Sequence, residues 1–153
     1  MEESCENLKI YQSAHALGVR IHRMSLDLPS FEKYEEGSQA RRSSKRISAS
    51  IVEGHALRRY KQQYINYLYR ALASSDETQE HLKYLRDTGS LTEEKLFAEL
   101  FDAYRRLSQM IFRYVESVEK LHDTPFYLSE HDAPSVEEPD PVESDPEPNR
   151  GKP

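Results

Sequence analysis

Apolar residues recur at alternating intervals of three and four along most of residues 8–121, the spacing of one face of an α-helix. In the first segment they are Ile10, Ala14, Leu17, Ile21, Met24 and Leu28. Leu28 precedes Pro29, and a residue before proline is pushed out of the helical region, so we predict that the first helix ends there. Residues 8–121 contain no convincing alternation of apolar and polar positions that would indicate a strand.

The second predicted helix carries a thinner apolar stripe. It should begin near Ser38, whose side chain is of the type that caps free backbone N–H groups. It should end at Gly54, because glycine adopts the left-handed conformation of a helix cap at no steric cost. The inward positions between them are Ala40, Ile47 and Ile51, with the small neighbours Ser44, Ser48 and Ala49. Small side chains let another helix approach closely but bury little area themselves.

Two longer helices follow. The third spans about residues 60–87, is closed by Gly89, and keeps the same spacing at Tyr64, Leu68, Ala71, Ser75, Thr78, Leu82 and Leu85. The fourth opens at Ser90 or Thr92 and continues the rhythm at Leu96, Leu100, Ala103, Leu107, Ile111, Tyr114, Val118 and Leu121. Short connections place consecutive helices antiparallel, so we predict an all-α, up-down-up-down four-helix bundle over residues 8–121.

Charge separates the last 32 residues from the rest of the chain. Residues 122–153 hold nine acidic and two basic side chains, a net charge of −7, and seven of the eight prolines. The preceding 121 residues hold 19 basic and 18 acidic side chains and are nearly neutral. An acidic, proline-rich segment buries too little apolar area to offset the entropy of ordering it, so we predict a disordered tail. It either serves solubility and spacing or folds back on a basic face of the same protein.

The strongest chemical feature is a basic segment at residues 39–61. It contains Arg41, Arg42, Lys45, Arg46, Arg58, Arg59 and Lys61 against one acid, Glu53, a local net charge of +6. Such a segment binds nucleic-acid phosphates in some proteins, with an affinity that falls as salt rises. The alternative is pairing with local acids such as Glu32, Glu35, Glu36 and Glu77, or with a neighbouring subunit. Among the nearby tyrosines, Tyr60 and Tyr69 are the candidates for stacking on bases.

The same segment carries a resemblance to a known family. Gln39, Arg41, Arg42, Ile51, Glu53 and Gly54, followed by Ala71, Ser74 and Glu77, resemble the proteins encoded by intervening sequences within bacterial large-subunit ribosomal RNA genes. Ala73 replaces the usual glycine, and Ser48 and Ser50 replace a proline and an asparagine. The resemblance implies a bundle that forms a ring-shaped homopentamer. The family includes the accessory protein of diversity-generating retroelements, a pentamer that binds nucleic acid and the partnering reverse transcriptase.

We expect no enzymatic activity, cofactor or metal. Glu77 and His81 share a helical face, as His15 and His22 do, but neither pair has the further ligands of a metal site. The sequence has no phosphate-binding glycine loop and no nucleophile elbow. One cysteine, Cys5, and no apolar run near the roughly 20 residues of a membrane helix lead us to expect a cytoplasmic protein without membrane contact. The sequence thus favours a non-enzymatic oligomeric nucleic-acid-binding or scaffolding subunit, with a purely structural or protein-binding module as the alternative.

Overall fold

Four long antiparallel helices form the protein. The computed structural model describes residues 4–120 and 127–135, and its long helices are α1 (Lys9–Leu26), α2 (Glu36–Ala56), α3 (Lys61–Asp87) and α4 (Glu94–Lys120). Shorter helical turns lie at Cys5–Asn7, Ser30–Lys33 and Glu130–Asp132. Consecutive helices pack side by side, and α1 meets α4 to close the bundle. The all-α up-down architecture predicted from the sequence is confirmed for the described residues.

The core contains most of the predicted apolar positions. All six residues of the first stripe are buried, and so are Leu68, Ala71, Leu82 and Leu85 of α3. In α4 the buried stripe also takes in Phe97, Tyr104 and Val115, while the predicted Leu96, Ala103 and Tyr114 are only half-buried. A strict seven-residue repeat drifts against a helix of 3.6 residues per turn, so neighbouring positions replace some of the predicted ones. Leu121 lies outside the described residues.

The start of α2 differs from the prediction. The helix begins at Glu36, and Ser38 is already inside it, so the cap comes from elsewhere. One Glu32 oxygen accepts the Glu36 backbone N–H at 3.1 Å, while the other accepts a hydrogen bond from the Ser90 hydroxyl. The Glu32 side chain is buried, and these two bonds compensate its removal from water. A carboxylate from the preceding turn therefore caps α2 and ties it to the α3–α4 connection.

Gly54 does not cap α2, which continues to Ala56. Its backbone is not left-handed, whereas Gly89, which does end α3 as predicted, has a φ of 78°. The space above Gly54 is occupied by α3. A Cβ atom at this position would lie 2.8 Å from the Tyr67 Cβ and 3.2 Å from the Tyr64 Cδ2. The glycine is needed because the two helices approach each other closely here.

A polar seam continues this close approach along α2 and α3. Ser43 and Thr78 are buried, and their hydroxyls are 2.7 Å apart. The Thr78 hydroxyl also donates to the Ser74 carbonyl at 2.8 Å. The α2 face on which α3 packs thus includes Ser43, which was not among the predicted small residues, while the predicted Ser48 lies in a groove beside α1 and Ala49 is exposed. The buried Ser43 and Thr78 hydroxyls are hydrogen-bonded to each other.

Candidate nucleic-acid interface

The predicted basic residues form two separate groups. Arg41, Arg42, Lys45 and Arg46 lie on the first half of α2, whereas Arg58, Arg59 and Lys61 lie at the connection between α2 and α3. With a rise of 1.5 Å per residue, about 15 Å of helix separates Arg46 from the end of α2. The fold therefore turns one run in the sequence into two basic regions.

Arg41 is engaged in holding the bundle together. Its guanidinium donates to the Ser25 hydroxyl at 2.9 Å and to the Lys33 carbonyl at 2.7 Å. These bonds connect the end of α1, the short helix Ser30–Lys33 and the first turns of α2. Hydrogen bonds from a charged donor are among the stronger ones in proteins. Arg41 therefore has a structural role in this fold, and little of its donor capacity faces solvent.

Lys45 and Arg46 are exposed on α2 and make only weak contacts. The Lys45 ammonium lies 3.1 Å from the His22 Nδ1 of α1. Arg46 lies 3.6 Å from a Glu77 carboxylate oxygen, with side chains 56% and 44% exposed. An ion pair of this exposure contributes at most about 1 kcal/mol, so either cation can turn to an external anion at small cost. Arg42, one turn before Arg46, is half-buried.

Helix α1 contributes basic residues that lie outside the segment predicted from the sequence. A groove of about 460 Å³ between α1 and α2 is lined by His15, Val19, His22, Arg23, Lys45 and Ser48, among others, with no acidic side chain in its wall. Arg23 is exposed. The sequence signal was present in the seven-residue spacing of His15 and His22, which puts them on one face. Nothing local indicated that this face would lie beside Lys45.

The second basic region lies beside a part of the predicted tail. Arg58 donates to the His55 carbonyl at 3.0 Å and is half-buried. Residues 127–135 lie against this connection, with the Leu128 N–H donating to the Arg59 carbonyl at 2.7 Å. The Lys61 ammonium is 5.6 Å from the centre of the Tyr127 ring. The remaining residues of the predicted disordered tail, 122–126 and 136–153, lie outside the described residues.

The acids proposed as alternative partners have distinct roles. Glu77 meets Arg46, as above, and also lies 3.3 Å from His81 Nε2, while Glu36 lies 2.7 Å from His81 Nδ1. Glu32 caps α2, whereas Glu77 forms an ion pair with a predicted basic residue, Arg46. Pairing with local acids, the alternative to nucleic-acid binding, therefore explains part of the surroundings of Arg46.

The described residues also bear on catalytic and metal chemistry. No group of three or more His, Cys, Asp and Glu side chains within them could hold a metal ion. Burial, followed by the neighbouring Glu6 charge, raises the pKa of the Cys5 thiol, which disfavours the nucleophilic thiolate.

Of the two tyrosines predicted to stack on bases, Tyr69 is exposed, with its hydroxyl 3.4 Å from Glu119, and Tyr60 is half-buried. None of the helices described is long and apolar enough to span a bilayer.

The fold and these surfaces define a class: a small antiparallel four-helix bundle with basic residues on α1, on α2 and at the α2–α3 connection. The chain belongs to the family described as 23S rRNA-intervening sequence protein, whose sequence profile matches residues 6–113. The family membership expected from the sequence is confirmed. Membership of a finer branch, the retroelement accessory proteins, stays a prediction.

One solved relative shares the architecture. A crystal structure of a protein of unknown function from the S23 ribosomal protein family of Bacteroides thetaiotaomicron superposes with a TM-score of 0.64. It is 22% identical in sequence, and the match covers 70% of this chain and 95% of that chain. At this identity the similarity establishes the fold alone. No curated protein matches the chain.

Proposed function

We propose that the protein is a non-enzymatic, self-assembling subunit that binds the phosphate backbone of a nucleic acid along α1 and α2. The observation that carries the proposal is the groove between these helices, whose wall holds Arg23, Lys45 and two histidines and no acid. Arg46, the residue after Lys45, adds a cation on the side of α2 that meets α3, and the α2–α3 connection adds a second region. Arg41 is left out because its guanidinium serves the fold.

The chemistry of this surface suits a backbone ligand. Arginine and lysine that neutralise phosphates release condensed counterions, and phosphate contacts position a protein without reading sequence. The contacts that Lys45 and Arg46 make within the chain are weak enough to exchange for phosphate. We therefore expect binding that is sensitive to salt and tolerant of sequence. The partner is an RNA or a DNA strand, and the family resemblance adds a reverse transcriptase as a candidate protein partner.

A salt titration of binding tests this proposal. Fluorescence anisotropy with labelled 30-nucleotide RNA and DNA strands of unrelated sequence would be measured across sodium chloride concentrations. The double variant Lys45→Gln/Arg46→Gln should weaken binding to every strand. It should also flatten the salt slope by about 1.4, since each lost contact to a single strand contributes about 0.7. Unchanged affinity and slope would refute the proposed interface.

A matched control separates local contacts from net charge. Arg105→Gln/Arg106→Gln removes the same two charges from exposed positions on α4, diagonally across the bundle from α2. We expect only the small, general electrostatic effect from this variant. Equal effects of the two double variants would show that overall charge, and not the α1–α2 surface, determines binding.

The alternative is a scaffold whose α2 cations pair with a neighbouring subunit. The ion pair between Arg46 and Glu77 favours it, because this surface can already hold an acid. Light scattering coupled to gel filtration distinguishes the two functions. The assembly, five chains by family resemblance, should survive Lys45→Gln/Arg46→Gln if these residues bind nucleic acid. Dissociation into monomers with unchanged nucleic-acid binding would favour the scaffold.

A further inference from the structure

Residues 127–135 form a segment, here named the strap, that lies across the start of α3. Three contacts among the described residues hold the strap against α3 and the residues before it. The Leu128 N–H donates to the Arg59 carbonyl at 2.7 Å, a Glu130 oxygen accepts the Gln62 N–H at 2.9 Å, and the Tyr127 ring lies 5.6 Å from the Lys61 ammonium. All three partners lie at the second basic region, so the strap covers a surface that the proposed function assigns to nucleic acid.

Glu130 supplies a hydrogen-bond acceptor at the start of α3. Tyr60 occupies the N-cap position, and its side chain makes no capping bond to the first N–H groups of α3. The Glu130 carboxylate accepts one of them, and its negative charge suits both the positive end of the helix and the adjacent cations. A helical turn at Glu130–Asp132, capped by the Ser129 hydroxyl, orients this side chain. The carboxylate oxygen takes the position that a phosphate oxygen would occupy.

We propose that the strap is an autoinhibitory contact: the Glu130 carboxylate competes with nucleic-acid phosphates for the start of α3, and the Leu128 N–H, bonded to the Arg59 carbonyl, holds the strap in place. This inference rests on the proposed function and adds its regulation. When the strap is docked, Glu130 accepts the Gln62 N–H and the Tyr127 ring lies beside the Lys61 ammonium, while the Arg59 side chain stays exposed. When the strap leaves, the Gln62 N–H and Lys61 join the interface, so the bound strand gains contacts and the salt slope becomes steeper.

The strap should reduce affinity only moderately. Its polar contacts lie at the protein surface, where single charged contacts shift equilibria by about fivefold or less. The apparent dissociation constant for a nucleic acid is the intrinsic constant divided by the fraction of molecules with the strap undocked. Loss of the Glu130 contact should therefore tighten binding about twofold to fivefold.

The first test compares two variants of equal charge. Glu130→Gln and Asp132→Asn each remove one negative charge from the same exposed helical turn, but only Glu130 contacts α3 through a described side-chain bond. Binding to a 30-nucleotide RNA at low salt should be about twofold to fivefold tighter for Glu130→Gln than for Asp132→Asn. Equal affinities of the two variants would overturn the inference.

The second test leaves the charge unchanged. Leu128→Pro removes the backbone N–H that donates to Arg59, whereas Leu128→Ala keeps it. Only the proline variant should bind RNA more tightly, and the Gln62 amide of that variant should exchange with solvent faster. If RNA binds the wild type and both variants equally, the strap does not inhibit. If neither the wild type nor any strap variant binds RNA or DNA, the proposed function itself is refuted.

Discussion

An added methyl group at Gly54 should force α2 and α3 apart. In Gly54→Ala the new Cβ would lie 2.8 Å from the Tyr67 Cβ. Carbon atoms in favourable contact are about 3.5–4.0 Å apart, so the helices must separate by up to roughly 1 Å at this crossing. Both atoms are attached directly to a helix backbone, and no side-chain rotation can relieve the contact. The seam through Ser43 and Thr78 connects the same two helices and would be strained as well.

The change in the free energy of unfolding caused by Gly54→Ala is the sum of two opposing contributions. Replacing glycine by alanine inside a helix stabilises it by about 1 kcal/mol through backbone propensity. Overpacking a close contact costs about 1–3 kcal/mol. Because the clash joins two backbone-attached atoms, we expect the upper part of that range and a net loss of about 1–2 kcal/mol. Urea denaturation followed by circular dichroism would measure it as a lower midpoint with an unchanged slope.

Gly18 provides the matched control. It is a buried glycine within α1, and a Cβ there would lie 3.8 Å from the Ser44 carbonyl oxygen, an ordinary contact. Gly18→Ala should therefore stabilise the protein by up to about 1 kcal/mol. Gly54→Asn then separates close packing from a left-handed cap, since a cap tolerates asparagine and a tight contact does not. A Gly54→Ala variant as stable as Gly18→Ala, or a Gly54→Asn variant more stable than Gly54→Ala, would refute the packing argument.

Three further changes test other parts of the fold. Arg41→Gln should destabilise the protein by roughly 1–3 kcal/mol, because it removes the charged hydrogen bonds to the Ser25 hydroxyl and the Lys33 carbonyl. Lys45→Gln should change the free energy of unfolding, measured by urea denaturation, by less than about 0.5 kcal/mol. Thr78→Val should cost about 1 kcal/mol in the same measurement, since it removes the bond between the buried Thr78 and Ser43 hydroxyls and leaves Ser43 only its longer bond to the Ala40 carbonyl. Gly89 has a positive φ, which is unfavourable for alanine, and no atom lies within 4 Å of an added Cβ. Gly89→Ala should therefore lower the thermal midpoint by an amount equivalent to about 1 kcal/mol, and Gly89→Asn should stay closer to the wild type. A Gly89→Ala variant with the wild-type midpoint would contradict this last expectation.

Local sequence patterns predicted the four helices and most of their buried positions, although not the two ends of α2. The spacing from Ile10 to Met24 determined the buried face of α1, because helical geometry converts spacing directly into direction. Gly89 ended α3 as predicted, since a left-handed residue after a polar turn is a property of a few neighbouring residues. Family membership also followed from residues close together in the sequence.

The roles of individual polar and small residues were decided by the tertiary structure. Gly54 has the sequence signature of a cap but lies under Tyr67, which belongs to another helix. Arg41 has the signature of a phosphate contact, yet its partners are Ser25 and the Lys33 carbonyl.

The acidic tail is the clearest case of a contact that only the tertiary structure determined. Its composition predicted disorder or a return to a basic face, and left that choice open. In the structure Glu130 caps a helix that begins 69 residues earlier, at Lys61. The physical reason is that periodicity and local propensity depend on nearest neighbours along the chain. The acceptor that an arginine or a free N–H group finds depends instead on which helices the core brings together.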